Sequence, residues 1–152
     1  MGLYVVNFDA VSIGTAVQDL FAIKAGANVT CILHWIHLDS TNTAAAALRM
    51  RLRRATATVT LGTGTSYTPN PLNELDQACL STAKTNVTTQ STTSGSFVDI
   101  GFFQWDTVLP FDYMPTPETR PRCKAAGGLI LDLPTTITAA TCSGFMVFEE
   151  TV

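Results

Sequence analysis

Apolar and polar side chains alternate strictly over residues 48–53, which read Leu-Arg-Met-Arg-Leu-Arg. Because side chains two apart point to the same face of a strand, this pattern predicts a half-buried β-strand whose arginines face outward. From Ala55 onward the apolar positions take the other parity, with threonines between them. This shift by one residue predicts a β-bulge or a break near Arg53 and Arg54.

Short apolar runs separated by proline and glycine predict further strands along the chain. These runs are residues 3–8, 16–24, 28–38, 97–105, 129–133 and 144–150. The first two are expected to pair through a turn at residues 12–14, and the third, apolar on both faces, to be a central strand. About eight such strands predict a single all-β domain over residues 1–152, an antiparallel β-sandwich of the jelly-roll kind.

Three segments interrupt the strand pattern. Residues 41–47 contain four consecutive alanines, and residues 70–84 space their leucines three to five positions apart. Both are therefore predicted to form short helical segments. Residues 85–96 are rich in threonine, serine and glycine, which predicts a long exposed loop at an outer surface.

The composition favours a molecule whose surface is partly covered by partners. Charged residues make up 14% of the chain, against about 25% in an average protein, and a solitary domain needs a charged surface. Copies of the same chain are the simplest cover, although the many threonines also supply polar surface. The net charge of −3 predicts no direct nucleic-acid partner, and no signal peptide or membrane span is predicted.

No catalytic or metal-binding constellation stands out. His34 and His37 share a strand three positions apart, so a regular strand would turn one into the core and the other to an interface. The four cysteines form no CxxC pair and are predicted to stay free thiols. The candidates for a pair of catalytic carboxylates are Asp99, Asp106, Asp112 and Asp132, with Glu149 and Glu150 at the end of the chain. Asp99 and Asp132 are as easily explained as outward residues of their strands. Without a GxSxG motif or a phosphate-binding loop, the chain is predicted to be no enzyme and to carry no cofactor or metal.

The outward arginines are the strongest electrostatic feature of the sequence. Arg49, Arg51 and Arg53 recur about every 6–7 Å along one strand face, with Arg54 beside them, and unmatched they would repel one another. Three interpretations are open. The face is solvated and has acidic neighbours, it docks carboxylates of a partner or sister subunit, or it contacts packaged nucleic acid.

A proline-rich segment at residues 111–121 is the second candidate contact surface. Phe111, Tyr113 and Met114 are followed by prolines at positions 115, 117 and 121, which hold the backbone extended at low entropic cost. Such an arm either connects the sheets rigidly and covers a sheet edge, or presents its side chains to a partner.

Several segments together carry a likeness to a known family. They are YVVNFDAV at residues 4–11, AVQDLF at 16–21, PTPETRP at 115–121, GGLIL at 127–131 and GFMVFEE at 144–150. The chain resembles, over most of its length, small jelly-roll proteins encoded among the structural genes of tailed bacteriophages. Some of those proteins are capsid cement, or decoration, proteins.

The resemblance implies a structural virion protein that binds and stabilises the major capsid shell. It implies the major capsid protein as partner, a homotrimer as assembly, synthesis in the host bacterial cytoplasm and a place on the capsid surface. It brings no catalytic residue. The alternative is a carbohydrate- or receptor-binding module of a phage fibre or tail, by fold analogy. Joint exposure of Trp35, Trp105 and Tyr113 would favour that alternative.

Overall fold

The computed structural model describes residues 2–136 and 139–151, and this part of the chain is all-β. It contains fourteen strands and no helix. The strands are β1 Gly2–Ile13, β2 Gln18–Lys24, β3 Thr30–Ser40, β4 Ala47–Ala55, β5 Val59–Thr60, β6 Thr63–Tyr67, β7 Asn70–Pro71, β8 Thr82–Thr89, β9 Thr92–Thr93, β10 Phe97–Asp106, β11 Phe111–Tyr113, β12 Arg122–Cys123, β13 Gly128–Leu133 and β14 Ala140–Thr151.

The strand pairing is that of a long antiparallel hairpin rolled up on itself. β1 lies antiparallel to β14, and β2 lies antiparallel to β13. Further along the rolled hairpin, β3 pairs with β11 and β12, and β4 pairs with β10. This arrangement is a jelly roll, built of two Greek keys. The predicted fold class is therefore confirmed.

Two larger sheets result from the rolled hairpin. The first has the order β11-β3-β14-β1-β7, with β12 also on β3, and the second has the order β10-β4-β13-β2-β8-β6. The predicted pairing of the first two strands is wrong, because β1 and β2 lie in different sheets. Gly14, at a φ of 94°, lies in the turn between them and adopts a conformation that favours glycine.

Apolar side chains of both sheets fill the core between them. The alternation predicted for β4 is confirmed, since Leu48, Met50 and Leu52 are completely buried. They belong to one cluster with Leu33 of β3 and Phe148 of β14. The sandwich is thus held by contacts between strands that are far apart in the sequence.

The irregularity predicted near Arg53 lies on the neighbouring strand. The register of β10 against β4 shifts between Asp99 and Gly101, which leaves Ile100 as an additional residue. The bulge is therefore in β10, opposite the predicted position. β4 itself continues to Ala55, where the chain leaves the sheet.

Residues 56–96, between β4 and β10, form an insertion into the jelly roll. β8 and β6 extend the second sheet beyond β2, whereas β7 pairs with β1 at the margin of the first sheet. Ala22, Val87 and Ile130 form a separate buried cluster, and Leu61 and Phe97 pack against it. The insertion therefore covers part of the outer face of the second sheet.

The short helix predicted for residues 70–84 does not form, because side chains accept hydrogen bonds from the backbone N–H groups of this segment. The carboxylate of Glu150 accepts the N–H groups of Leu80 and Ser81 at 3.1 and 2.6 Å. The side chain of Asn73 accepts the N–H of Leu75. These bonds replace the i to i−4 ladder that a helix would need.

The predictions for residues 41–47 and 85–96 are also wrong. No helix forms at the alanines, since both backbone groups of Ala46 bond to Thr107. Residues 85–96 are not simply a loop, because β8 runs as far as Thr89 along the edge of β2 and β9 follows it. In each case a partner far away in the sequence decides the local structure.

Candidate interaction surfaces

Two arginines of β4 surround a buried carboxylate of β13. Arg51 bonds Asp132 with both arms of its guanidinium group, Nε to Oδ1 at 3.1 Å and Nη2 to Oδ2 at 2.7 Å. Nη2 of Arg53 lies 3.1 Å from the same Oδ2. The side chain of Asp132 is 0% exposed, against 23% for Arg51 and 11% for Arg53. Of the two interpretations of Asp132 from the sequence, the outward residue is therefore wrong, and both guanidinium groups are engaged within the molecule.

A second buried carboxylate, Asp19, lies next to this cluster. Asp19 is the cross-strand partner of Asp132, so two carboxyl groups occur at one position of the sheet. The N–H of Ser91 donates to Oδ2 of Asp19 at 2.8 Å, but Oδ1 has no hydrogen-bond partner within the described part of the chain. Burial, to which the charge of Asp132 adds, raises the pKa of Asp19 to about 6.

The insertion is fastened to these two carboxylates by consecutive residues. The amide of Gln90 donates to Oδ2 of Asp132 at 3.0 Å, and Ser91 bonds Asp19 as described. Sequence reasoning missed Asp19. The only available signal was an acidic residue inside the apolar run of residues 16–24, which indicates a buried charge that needs partners.

The other two arginines of β4 have different surroundings. The guanidinium group of Arg49 lies 5.0 Å from the ring centre of Phe102 and is exposed at the surface. Arg54 is the cross-strand partner of Leu129, a core residue, near the end of β4. The four arginines therefore do not present one common surface.

The arm of residues 111–121 contacts both sheets at its beginning. Phe111 and Tyr113 of β11 pack on Phe103 of β10, with ring centres 5.4 and 5.0 Å apart. β11 is at the same time paired with β3 of the first sheet. Of the three predicted contact residues in this arm, Phe111 and Tyr113 are half-buried, whereas Met114 is 66% exposed.

Large apolar side chains are exposed along the side of the sandwich where β10 borders the second sheet. We call this set the β10 margin, and its members are 37–66% exposed. They are Val98, Ile100, Phe102, Val108, Leu109 and Met114. β10 pairs only with β4 among the described strands, so its other edge has open backbone groups. Sequence reasoning identified Met114 alone, because β10 is apolar on both faces and its pattern does not show which face is covered.

Both histidines lie on the outer face of the first sheet. The register of β3 against β14 shifts between Val147 and Phe148, which makes His34 an additional residue in β3. The argument from regular strand geometry therefore fails, and neither His34 nor His37 is a core residue. Nε2 of His34 lies 2.9 Å from Glu149.

Asp112 of β11 bonds two side chains of β3 on this outer face. Oδ1 of Asp112 lies 2.9 Å from Nδ1 of His37 and 2.8 Å from Nε1 of Trp35. Bonds from His37 first, and from Trp35 second, lower the pKa of Asp112. Within residues 2–136 and 139–151, no group of three or more His, Cys, Asp or Glu is arranged to hold a metal ion.

The three aromatic residues that would favour sugar binding are not exposed together. Trp105 is 2% exposed, and its indole donates to the carbonyl of Leu109 at 2.6 Å. Trp35 is half-buried and stacks edge-on against Phe145, while Tyr113 packs on Phe103. The three residues are thus divided between the core and two separate surfaces, and the joint exposure that would favour the alternative function is not observed.

Comparison with known proteins adds little to these observations. No protein-family model matches the chain, and no curated protein matches it. A solved structure described as "Structure of infectious bursal disease virus Gx strain" aligns at 12% identity and a TM-score of 0.15, over 99% of this chain and 39% of that chain. A TM-score of this size indicates neither a shared fold nor a shared function. In the part of the chain that the structure describes, no helix is long and apolar enough to cross a membrane.

Proposed function

We propose that the chain is a structural virion protein, a cement or decoration protein that binds and stabilises the major capsid shell of a tailed phage as a homotrimer. The observation that carries the proposal is the β10 margin, where six large apolar side chains lie exposed near an open strand edge. The jelly-roll pairing and the resemblance to phage structural proteins support a place in the virion.

The β10 margin is suited to contact between copies of the chain. Long apolar edge strands associate unless they are covered or carry charges, and β10 contains only Asp99 and Asp106 as charged residues. Permanent interfaces between subunits are also more apolar than transient ones. A closed ring of three copies would cover every margin once and leave no open end for further growth.

A trimer of this kind stabilises a shell through repeated weak contacts. Three identical surfaces that bind neighbouring capsid subunits act together, so the complex is tighter than a single contact. A protein that binds the assembled shell, and not the separated subunits, shifts the equilibrium toward the shell. This mechanism needs no catalytic residue.

The mass of the protein in solution tests the role of the β10 margin. Sedimentation equilibrium of the wild-type protein should give three times the mass of the chain. Ile100→Lys should give a single chain, because burying an unpaired ammonium group at the interface is strongly unfavourable. Leu75→Lys is the matched control, since Leu75 is 88% exposed and lies outside the margin, and it should remain a trimer.

Binding to capsids tests the rest of the proposal. The protein is mixed with capsids assembled without it, and pelleted material is quantified. Saturable binding and hundreds of copies in purified virions are expected. A protein that is a monomer without capsid affinity, or one present in only a few copies at the tail, contradicts the proposal.

The alternative function, a carbohydrate- or receptor-binding module, has one supporting feature. Trp35, His37 and Phe145 form an aromatic cluster with Asp112 on the outer face of the first sheet. Such a combination of rings and a carboxylate suits sugar recognition. Glycan-array binding that is lost in Trp35→Ala, with the fold intact, would contradict the role in the shell and assign the protein to a fibre or tail.

A further inference from the structure

A cleft of about 260 Å³ opens where β4 leaves its sheet, close to β12. Its lining consists of Arg54, Ala55, Thr56, Arg122 and Lys124. Two distant segments of the chain therefore bring three cationic side chains to one place. None of the sequence patterns predicted this group, because only Arg54 belongs to the row of arginines.

Strand geometry explains why these side chains meet. Arg54 lies one residue before the end of β4, opposite the core residue Leu129, while Arg51 and Arg53 point to the other face. Arg122 and Lys124 stand on either side of the buried Cys123. Residues two apart in an extended chain point the same way, so both extend to the side away from Cys123.

The charge in this cleft is unmatched. The chain has nine Lys and Arg residues and a net charge of −3, yet three of the nine line one cleft to which the described residues contribute no carboxylate. Arg54, Arg122 and Lys124 take part in no ion pair among residues 2–136 and 139–151. Arg51 and Arg53, in contrast, are matched by Asp132. Three neighbouring cations without a counter-charge favour the binding of an anion.

The lining indicates which anion is suitable. Among the described residues no aromatic side chain lines the cleft, so they offer no surface on which a nucleic-acid base can stack. The net negative charge of the chain also opposes a long polyanion. A carboxylate fits the forked donors of two guanidinium groups, and the lysine adds a further charge.

The geometry points to a docking site for the carboxylate of an Asp or Glu side chain in an acidic segment of the capsid subunit. The acidic segment is inferred from the cleft, whereas its assignment to the capsid subunit rests on the proposed function. In this arrangement the β10 margin joins the copies, and the basic cleft of each copy holds the shell.

A fluorescein-labelled hexaglutamate peptide is the probe for the cleft. Fluorescence anisotropy should show binding to the wild-type protein that weakens as salt is raised. Arg122→Gln and Lys124→Gln should each reduce affinity about tenfold, as expected for loss of one charged hydrogen bond. Lys84→Gln is the matched control, because it removes a positive charge on β8 of the insertion, outside both the cleft and the β10 margin, and it should change affinity less than about twofold.

Competitors decide the chemistry of the ligand. Inorganic phosphate that binds as tightly as the peptide would mean an adventitious ion only and would overturn the inference. A single-stranded DNA oligonucleotide that binds more tightly than the peptide would also overturn it. An equal loss of affinity in Lys84→Gln would show a general charge effect and would contradict a specific site. Unchanged thermal melting of each variant shows that the fold is intact.

Capsid binding separates this inference from the proposed function. If the wild-type protein binds capsids and Arg122→Gln binds them equally well, the proposed function stands and the cleft is not the docking site. If hexaglutamate binding depends on the cleft but the wild-type protein does not bind capsids, the carboxylate site stands and the proposed function fails.

Discussion

Asp19 and Asp132 are partners across β2 and β13, but their hydrogen bonds differ. Asp132 accepts bonds from Arg51, Arg53 and the amide of Gln90. Asp19 accepts the backbone N–H of Ser91 and keeps an oxygen without a partner among the described residues. The charge of Asp132 is therefore matched, whereas the charge of Asp19 is poorly compensated.

Removing the charge of Asp132 should destabilise the protein. Asp132→Asn removes the ion pair of Arg53 and leaves Arg51 with the more distant and more exposed Asp99, at 3.8 Å, and breaking a buried ion pair in this way costs about 3–5 kcal/mol. Urea denaturation measures the free energy of unfolding. Glu74→Gln, an exposed residue with the same change of charge, is the control. A loss no larger than in this control would contradict the structural role of Asp132.

Removing the charge of Asp19 should have the opposite effect at neutral pH. A carboxyl group whose pKa is raised by folding, here to about 6 from 3.8, contributes its stabilisation below the unfolded pKa. That contribution is lost as the pH rises through about 6. Asp19→Asn should therefore change stability little at pH 4 and increase it by about 1–3 kcal/mol at pH 7.5.

The control for this pH dependence is Asp112→Asn. His37 and Trp35 hold the pKa of Asp112 below its usual range, so the stability that this variant lacks relative to the wild-type protein should already be missing at pH 4 and should stay about the same at pH 7.5. Urea denaturation at pH 4 and pH 7.5 compares both variants with the wild-type protein. Parallel behaviour of the two variants would show that the carboxylate partners do not determine their effects.

At the scale of elements, the strands in which the alternation of apolar and polar residues matches the buried and exposed faces were predicted well. β4 alternates strictly, and the structure buries the predicted face. The helices expected at residues 41–47 and 70–84 were wrong because Thr107 and Glu150 bind their backbone from other elements. No local pattern contains that information. The bulges in β3 and β10 likewise depend on the register of the neighbouring strand.

The register of β3 and β12 leads to a prediction about two cysteines. Cys31 and Cys123 are cross-strand partners, both buried and both free thiols. A hydrogen bond from the thiol of Cys31, aided by the charge of Arg54, lowers the pKa of Cys123. Partners on antiparallel strands have Cα atoms about 4.5–5.5 Å apart, which lies within the range of a disulfide.

Oxidised glutathione in mild denaturant, followed by refolding, should link Cys31 to Cys123. The two thiols give up two protons and two electrons to the glutathione disulfide, which is released as two thiols. Titratable thiols in the denatured product should fall from four to two, and a closed loop of about 90 residues should add roughly 4 kcal/mol of stability. Cys142→Ala should still form the link, but Cys31→Ala should not. A peptide map that shows another pairing would contradict the prediction.

At the scale of the whole molecule, the covered surface inferred from composition and the strand topology were predictable to different degrees. The low share of charged residues pointed to covered surfaces, and the structure shows exposed apolar residues along β10 that such a cover would bury. The rolled hairpin was predicted as a class but not strand by strand, since β1 and β2 were expected to pair. The basic cleft was not predictable at all, because Arg54 and Arg122 approach each other only after both sheets have formed.

The central place of β14 has a consequence for the synthesis of the protein. β14 lies between β1 and β3 in the first sheet, but it is the last of the described strands to leave the ribosome. At translation rates of about 5–20 residues per second, β1 and β3 wait roughly 5–20 seconds for their common neighbour. During this time the nascent chain exposes two apolar strands that cannot complete their sheet. Cellular chaperones that hold extended apolar segments are therefore expected to determine how much of the chain reaches its folded form.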